Sequence, residues 1–210
     1  MYQAVLSLFE QGGVMMYPLL LCSLVSFTLT LERLIVLRSL PLLSQKNFEL
    51  WSRWIAAGID KDNLPKSNPN TLIDQLLTPL VPYLPIELPR LEERISDLSR
   101  KAKNRLERGV VYLDTIAGVA PLLGLLGTAL GMVEVFAQLS ASGHAKMEAL
   151  SSGISQALLT TVAGLVIGIP ALIAANLLTR HIENLLLKVE DQVNDLLDQY
   201  YPQLVRHENR

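Results

Sequence analysis

TIAGVAPLLGLLGTALGMV, Thr115 to Val133, and LSSGISQALLTTVAGLVIGIPALIAANLLT, Leu150 to Thr179, contain no charged residue between them. Each is long enough to cross a bilayer, which takes roughly 20 mostly apolar residues. A helix that only anchored the chain in lipid would be built of Leu, Ile, Val and Phe. These two carry Gly, Ala, Ser, Thr and Pro instead, the residues of helices that pack closely on one another.

A third uncharged run, GVMMYPLLLCSLVSFTLTL from Gly13 to Leu31, closes on the pair Glu32 and Arg33. No positive charge precedes it and no small-x-small cleavage site follows, so it reads as a retained span rather than a signal peptide. The chain of 210 residues is 50% hydrophobic and 18% charged, as a membrane protein should be. Its net charge of −2 gives no basic excess for nucleic acid.

The placement of cations sets the expected orientation. Of the 18 Lys and Arg, twelve lie between Arg38 and Arg108, five are Arg33, Arg180, Lys188, Arg206 and Arg210, and only Lys146 lies elsewhere. Loops rich in Lys and Arg stay in the cytoplasm. The expected organisation is therefore an all-α membrane protein with three transmembrane helices, N-out and C-in. Residues 1–12 form an outer N-terminus, 13–33 the first span, 34–108 a cytoplasmic loop and amphipathic helix, 109–138 the second span, 139–150 a short outer loop, 151–179 the third span and 180–210 a cytoplasmic helical tail.

Within the cytoplasmic part, prolines from Pro65 to Pro89 cut the chain into short pieces, including a helical stretch around Trp51 and Trp54. From Leu91 the pattern changes. Leu91, Ile95, Leu98, Ala102 and Leu106 mark an amphipathic helix that can run on into the second span. Ile182, Leu186, Val189, Val193, Leu196 and Tyr200 alternate steps of four and three and extend the third span in the same way. Such seams must be buried, against each other or against further copies of the chain.

Little in the chain resembles catalytic machinery. Cys22 is a single cysteine inside a span, and His144, His181 and His207 have no partner at metal-ligand spacing. Gly124, Gly127 and Gly131 are not followed by the Lys-Ser or Lys-Thr of a P-loop, and neither GxSxG nor HExxH occurs. No enzyme activity, metal or cofactor is expected.

The same glycines, with Gly164 and Gly168, are the expected helix-packing positions. Pro121 should leave a backbone carbonyl unpaired and bend its helix. Thr128 can bond the preceding turn or line a pathway. Gln156 admits two readings, interhelical bonding or membership of a polar pathway with Thr160 and Thr161. Asp114 and Glu134, toward opposite ends of the second span, read as interfacial charges.

APLLGLLGTALGMVEVF, Ala120 to Phe136, followed by GISQALLTTVAGLVIGIPALIA, Gly153 to Ala174, resembles the ExbB/TolQ/MotA proton-channel family, and its ExbB/TolQ branch more than the flagellar MotA branch. The resemblance implies a homopentamer in the bacterial inner membrane whose second and third helices surround a pore. It also implies an ExbD/TolR-like single-span partner with a membrane Asp, and a TonB/TolA-like protein that carries work to the outer membrane. Thr128 and Thr161 match the family's pore-lining threonines. The membrane Glu common in that branch is Gln156 here, which cannot titrate. On this reading the chain is a stator subunit converting proton motive force into work, with Thr128, Gln156, Thr160 and Thr161 on the pathway. The alternatives are a non-conducting membrane scaffold or a small-solute secondary transporter, the second disfavoured by the absence of a repeated half.

Overall fold

The computed structural model describes residues 12–39, 45–57, 64–65, 71–83, 88–142 and 147–208, and among them all regular structure is helical. Among the described residues five α-helices follow one another: α1 Met16–Ser39, α2 Gln45–Ala56, α3 Leu72–Leu77, α4 Leu88–Ser142 and α5 Met147–Glu208, with a 3-10 turn, Thr78–Tyr83, after α3. The expected outer N-terminus before Gly12 and the centre of the outer loop, 143–146, lie outside the described residues, as do parts of the Pro-rich loop and the side chain of Tyr200.

Three helices, α1, α4 and α5, are long and apolar enough to cross a membrane. Their most apolar windows are only 11%, 28% and 28% buried within the protein. Water would not tolerate that much uncovered apolar surface, so these segments belong in lipid or against other chains. The chain divides into two compact units.

Unit 1 comprises the chain up to Arg33 and Gly109–Leu177. It holds most of α1 with the apolar stretches of α4 and α5. The chain enters α1 through a turn in which Gly13 has φ +67 and its carbonyl accepts from the Met16 N–H at 3.1 Å. Pro18 sits in the first turn of α1, where its missing N–H costs no helical bond. Hydroxyls within the spans bond their own backbone, as Thr28 does to the Leu24 carbonyl and Thr115 to that of Val111.

Unit 2 comprises Leu34–Arg108 and Leu178–Arg210. Here the expected seams are buried at Leu91, Ile95, Ala102 and Leu106 on α4 and at Ile182, Leu186, Val189, Val193 and Leu196 on α5, while Leu98 is half-buried. The seam is built of large apolar side chains, and burying such surface away from water stabilises at about 25 cal/mol per Å². Beside it α2 and α3 pack through Trp51, Ile55, Leu72, Ile73, Leu76 and Leu77.

A buried polar knot joins these two short helices. Asp74, 2% exposed, accepts from Asn47 Nδ2 at 2.5 Å, from Trp51 Nε1 at 2.6 Å and from the Thr71 hydroxyl. Asn47 also donates to Thr71 Oγ1 at 3.0 Å. Three donors on one carboxylate offset the desolvation that would otherwise exclude a charge from such a place.

Candidate functional site

In unit 1, α4 and α5 pack antiparallel through a seam of small residues. Val110, Leu113, Ala117, Ala120, Gly124, Gly127, Gly131 and Val135 are buried on α4, at steps of three and four. Ala157, Thr160, Gly164, Gly168, Ala171 and Ala175 answer them on α5. A Cβ placed on Gly164 would stand 2.6 Å from the Ala120 carbonyl oxygen and 3.1 Å from the α-carbon of Gly124. One on Gly124 would stand 2.8 Å from the Thr160 carbonyl, and one on Gly131 3.2 Å from the Ala157 Cβ. Backbone therefore meets backbone, the packing available to helices in lipid, where no hydrophobic driving force acts between them.

Pro121 shapes the same seam. It lacks the N–H that would bond the Ala117 carbonyl. A Cβ built on Gly168 would stand 2.8 Å from two of the Pro121 ring carbons, Cγ and Cδ, and 3.1 Å from that carbonyl oxygen, so only glycine fits opposite them without displacement. The helix continues through the proline.

Thr160 lies inside the seam and is 1% exposed. Its hydroxyl is within bonding distance of the Ala157 carbonyl at 2.8 Å and the Gly124 carbonyl at 3.3 Å, and its side chain fills the space opposite Gly127. Of the residues expected on a pathway, Thr160 is thus the one whose side chain the helix pair encloses.

The remaining site residues separate onto two flanks. In an antiparallel pair, residues just after a seam position on either helix fall on one side, and those just before fall on the other. Helix α1 covers the second of these. The Arg33 side chain lies over Gly109, and the carboxamide of Gln156 lies over Gly13 in the turn before α1. Along that flank Ile116, Leu123, Leu159, Ala163, Ile167 and Ala174 are half-buried, as a covering helix requires. Gln156 thus makes a packing contact with the start of α1, on the flank away from Thr161.

The other flank carries Thr128 and Thr161. Thr128 bonds the Leu125 carbonyl at 2.6 Å, and Thr161 reaches the Gly124 carbonyl at 3.3 Å. Both are half-buried, on a flank left open by α1, where Leu125, Leu158, Leu165 and Ile169 are exposed. Asp114, Pro121 and Thr128 recur at intervals of seven, so they share this flank along α4, with Asp114 exposed. That alignment is present in the sequence, although Asp114 read there as an isolated interfacial charge.

Three long apolar helices, two of them a glycine-packed pair with one flank covered and the other bearing hydroxyls, define an all-helical, multi-pass membrane protein. The profile of the MotA/TolQ/ExbB proton channel family matches residues 87–191, half of the chain. An ExbB-like biopolymer transport protein of Synechocystis sp. is 30% identical over 81% of this chain and 68% of its own length. An ExbB biopolymer transport protein of Vibrio cholerae is 27% identical over 88% and 83%, and the Tol-Pal system protein TolQ of Haemophilus influenzae is 34% identical over 45% and 40%. The chain belongs to the MotA/TolQ/ExbB proton channel family, in its ExbB/TolQ branch.

Proposed function

We propose that this chain is the proton-channel and stator subunit of an inner-membrane energy-coupling complex. Several copies, five by resemblance to the family, surround the membrane helices of an ExbD/TolR-like partner whose span bears an Asp. Protons moving past that Asp drive the partner, and a TonB/TolA-like protein carries the work to the outer membrane for transport or envelope maintenance. The orientation is N-out and C-in, following the Lys and Arg excess between Arg38 and Arg108.

The observation that carries this reading is the uncovered flank of the α4 and α5 pair. It combines half-buried Thr128 and Thr161 with exposed Asp114, on helices that match the channel family. Polar and ionisable groups on such a flank favour a water-bearing or partner-bearing face over lipid. The outward side of α1 has the opposite character, with Tyr17, Leu20, Leu21, Leu24, Phe27 and Leu31 exposed. It suits the lipid boundary. The titrating partner Asp supplies what Gln156 cannot, and Thr128 and Thr161 hold the water or hydroxyl chain beside it.

The test is native mass measurement of the chain in gentle detergent, followed by proton flux into vesicles holding it with its partner. A pentamer whose flux vanishes when the partner Asp becomes Asn supports the proposal. A monomer, or a complex that assembles and passes no protons under an imposed gradient, overturns it in favour of a non-conducting scaffold.

A further inference from the structure

Asp114 lies five residues beyond Gly109, about 7.5 Å along α4 at 1.5 Å per residue. Gly109 marks the level at which Arg33 crosses from α1. Asp114 is therefore above that cation, within the apolar part of unit 1, and it is exposed. Among the described residues it makes no ion pair. The other charged groups of this unit whose side chains are described are Glu32 and Arg33 on α1, which covers the opposite flank, and Glu134, twenty residues further along α4. On α5, the element packed against α4, the described side chains of unit 1 carry no charge. Tyr112, exposed on α4, is the nearest other titratable group in sequence.

What α5 does offer is Asn176. It follows the seam residue Ala175, as Asp114 follows the seam residue Leu113, so both fall on the flank of Thr128 and Thr161. Their levels agree to within about one turn. Gly168 meets Ala117, and each step toward Asp114 on one helix runs toward Asn176 on the other. A carboxylate and a carboxamide, both exposed in otherwise apolar spans, thus stand on the same side of the pair below the two threonines.

Resting on the function proposed above, we infer that Asp114, assisted by Asn176, is the chain's own proton-accepting site at the cytoplasmic end of this flank. An unpaired carboxylate facing hydrocarbon is costly, and acids within spans face water or a pathway. One oxygen of Asp114 accepts a proton arriving along the flank, forming an O–H bond, and returns it to cytoplasmic water as that bond breaks. The carboxylate is regenerated and nothing is oxidised or reduced. The Asn176 amide N–H donates to the charged form and holds it in place between transfers. The ionisable group missing at Gln156 is supplied on the other flank and nearer the cytoplasm.

Proton flux into vesicles holding the full chain with its partner tests this, with native mass measurement confirming assembly of each variant. Asp114→Asn should lower flux roughly tenfold or more, in the range of a lost acid-base group, and remove the dependence of flux on pH at the cytoplasmic face. Asp114→Glu should keep substantial flux with a displaced pH profile. Asp114→Asn with the parent's flux and pH profile overturns the inference and leaves the channel function standing. If the parent itself passes no protons, the channel reading fails, and a second measurement decides the site. Asp114→Cys in a Cys22→Ser background should react with a membrane-impermeant thiol reagent, as a wet flank requires, while Leu21→Cys in the same background should not. Equal protection of both overturns the inference, and so does loss of assembly by Asp114→Asn together with protection of Asp114→Cys.

Discussion

The carboxamide of Gln156 on α5 rests on the α-carbon of Gly13, in the turn that precedes α1. The contact joins the start of the third span to the start of the first. It also requires glycine twice over, because Gly13 has φ +67 and a Cβ there would run into Gln156. The glutamine that stands where the family resemblance leads one to expect a glutamate therefore packs on the turn from which the first helix begins.

Gly13→Ala should therefore destabilise the protein by about 1–2 kcal/mol from the backbone conformation alone. Displacement of the Gln156 carboxamide adds to that. The measurement is thermal unfolding of the purified protein in detergent, with a double-mutant cycle against Gln156→Ala. The added part should disappear when Gln156 is shortened, and the backbone part should persist. Strict additivity would show that the two residues do not interact.

The glycines of the seam predict a contrast within one helix pair. Gly164→Ala would set a methyl 2.6 Å from the Ala120 carbonyl oxygen, and backbone on both sides cannot move aside. A loss of roughly 1–3 kcal/mol is expected, the usual range for overpacking. Gly118 has open space around its missing Cβ, so Gly118→Ala should leave stability unchanged or slightly raised. Thermal unfolding of the two variants side by side checks this, and equal effects would contradict the seam described here.

How much of this could be read from the sequence depends on the range of the signal. The spans and the seams of α4 and α5 are periodic and local, so Leu91, Ile95, Ile182 and Val193 announced themselves by spacing. The crowding of Gly, Ala and Thr likewise marked helices built to approach closely. The flanks were not legible, since only contact with α1 shows that Gln156 and Thr161, five residues apart, serve opposite sides. The knot around Asp74 was hidden for a related reason. Asn47 and Trp51 lie in α2, while Asp74 lies in α3 and Thr71 stands at its N-cap, and no periodicity links them.

That knot carries its own prediction. Asp74→Ala removes the acceptor shared by Asn47, Trp51 and Thr71, and a buried donor that keeps no other acceptor costs about 1–3 kcal/mol. Unit 2 should loosen around α2 and α3, with Trp51 exposed to water and its fluorescence shifted to longer wavelength. Comparison with a Trp54→Phe background isolates the Trp51 signal, because the two rings lie only 5.5 Å apart. Unchanged emission would show that the carboxylate does not hold the two helices together.

Lys103 predicts a pH effect. Its Nζ donates to Glu183 at 2.9 Å and stands 3.7 Å from Glu107. The hydrogen bond to Glu183 is the main cause that raises the Lys103 pKa above its ordinary value. A raised pKa in the folded state stabilises while the amine is charged, fully below the unfolded value and progressively less as pH climbs through the folded one. The contribution is thus intact at neutral pH and lost only in strongly alkaline solution. Exposed pairs contribute about 0.2–1 kcal/mol and weaken with salt. Lys103→Gln should lower stability by an amount in that range at neutral pH and low salt, with the difference from the parent closing in high salt and at alkaline pH. A difference indifferent to both would mean that the side chain acts through packing.

Adjacent threonines on α5 provide the sharpest separation of roles. Thr160 is enclosed in the seam, with its hydroxyl near two backbone carbonyls, while Thr161 reaches the uncovered flank that also holds Thr128. Valine matches threonine in shape and removes only the hydroxyl. Thr160→Val should cost about 0.5–1.5 kcal/mol in stability, the net value of one hydrogen bond, and leave proton flux through the complex as it was. Thr161→Val and Thr128→Val should do the reverse, keeping assembly and thermal stability near the parent while flux falls, because water along that flank loses hydroxyl partners. Flux that falls with Thr160→Val and survives both other changes would move the pathway into the seam and away from the flank of Thr128 and Thr161.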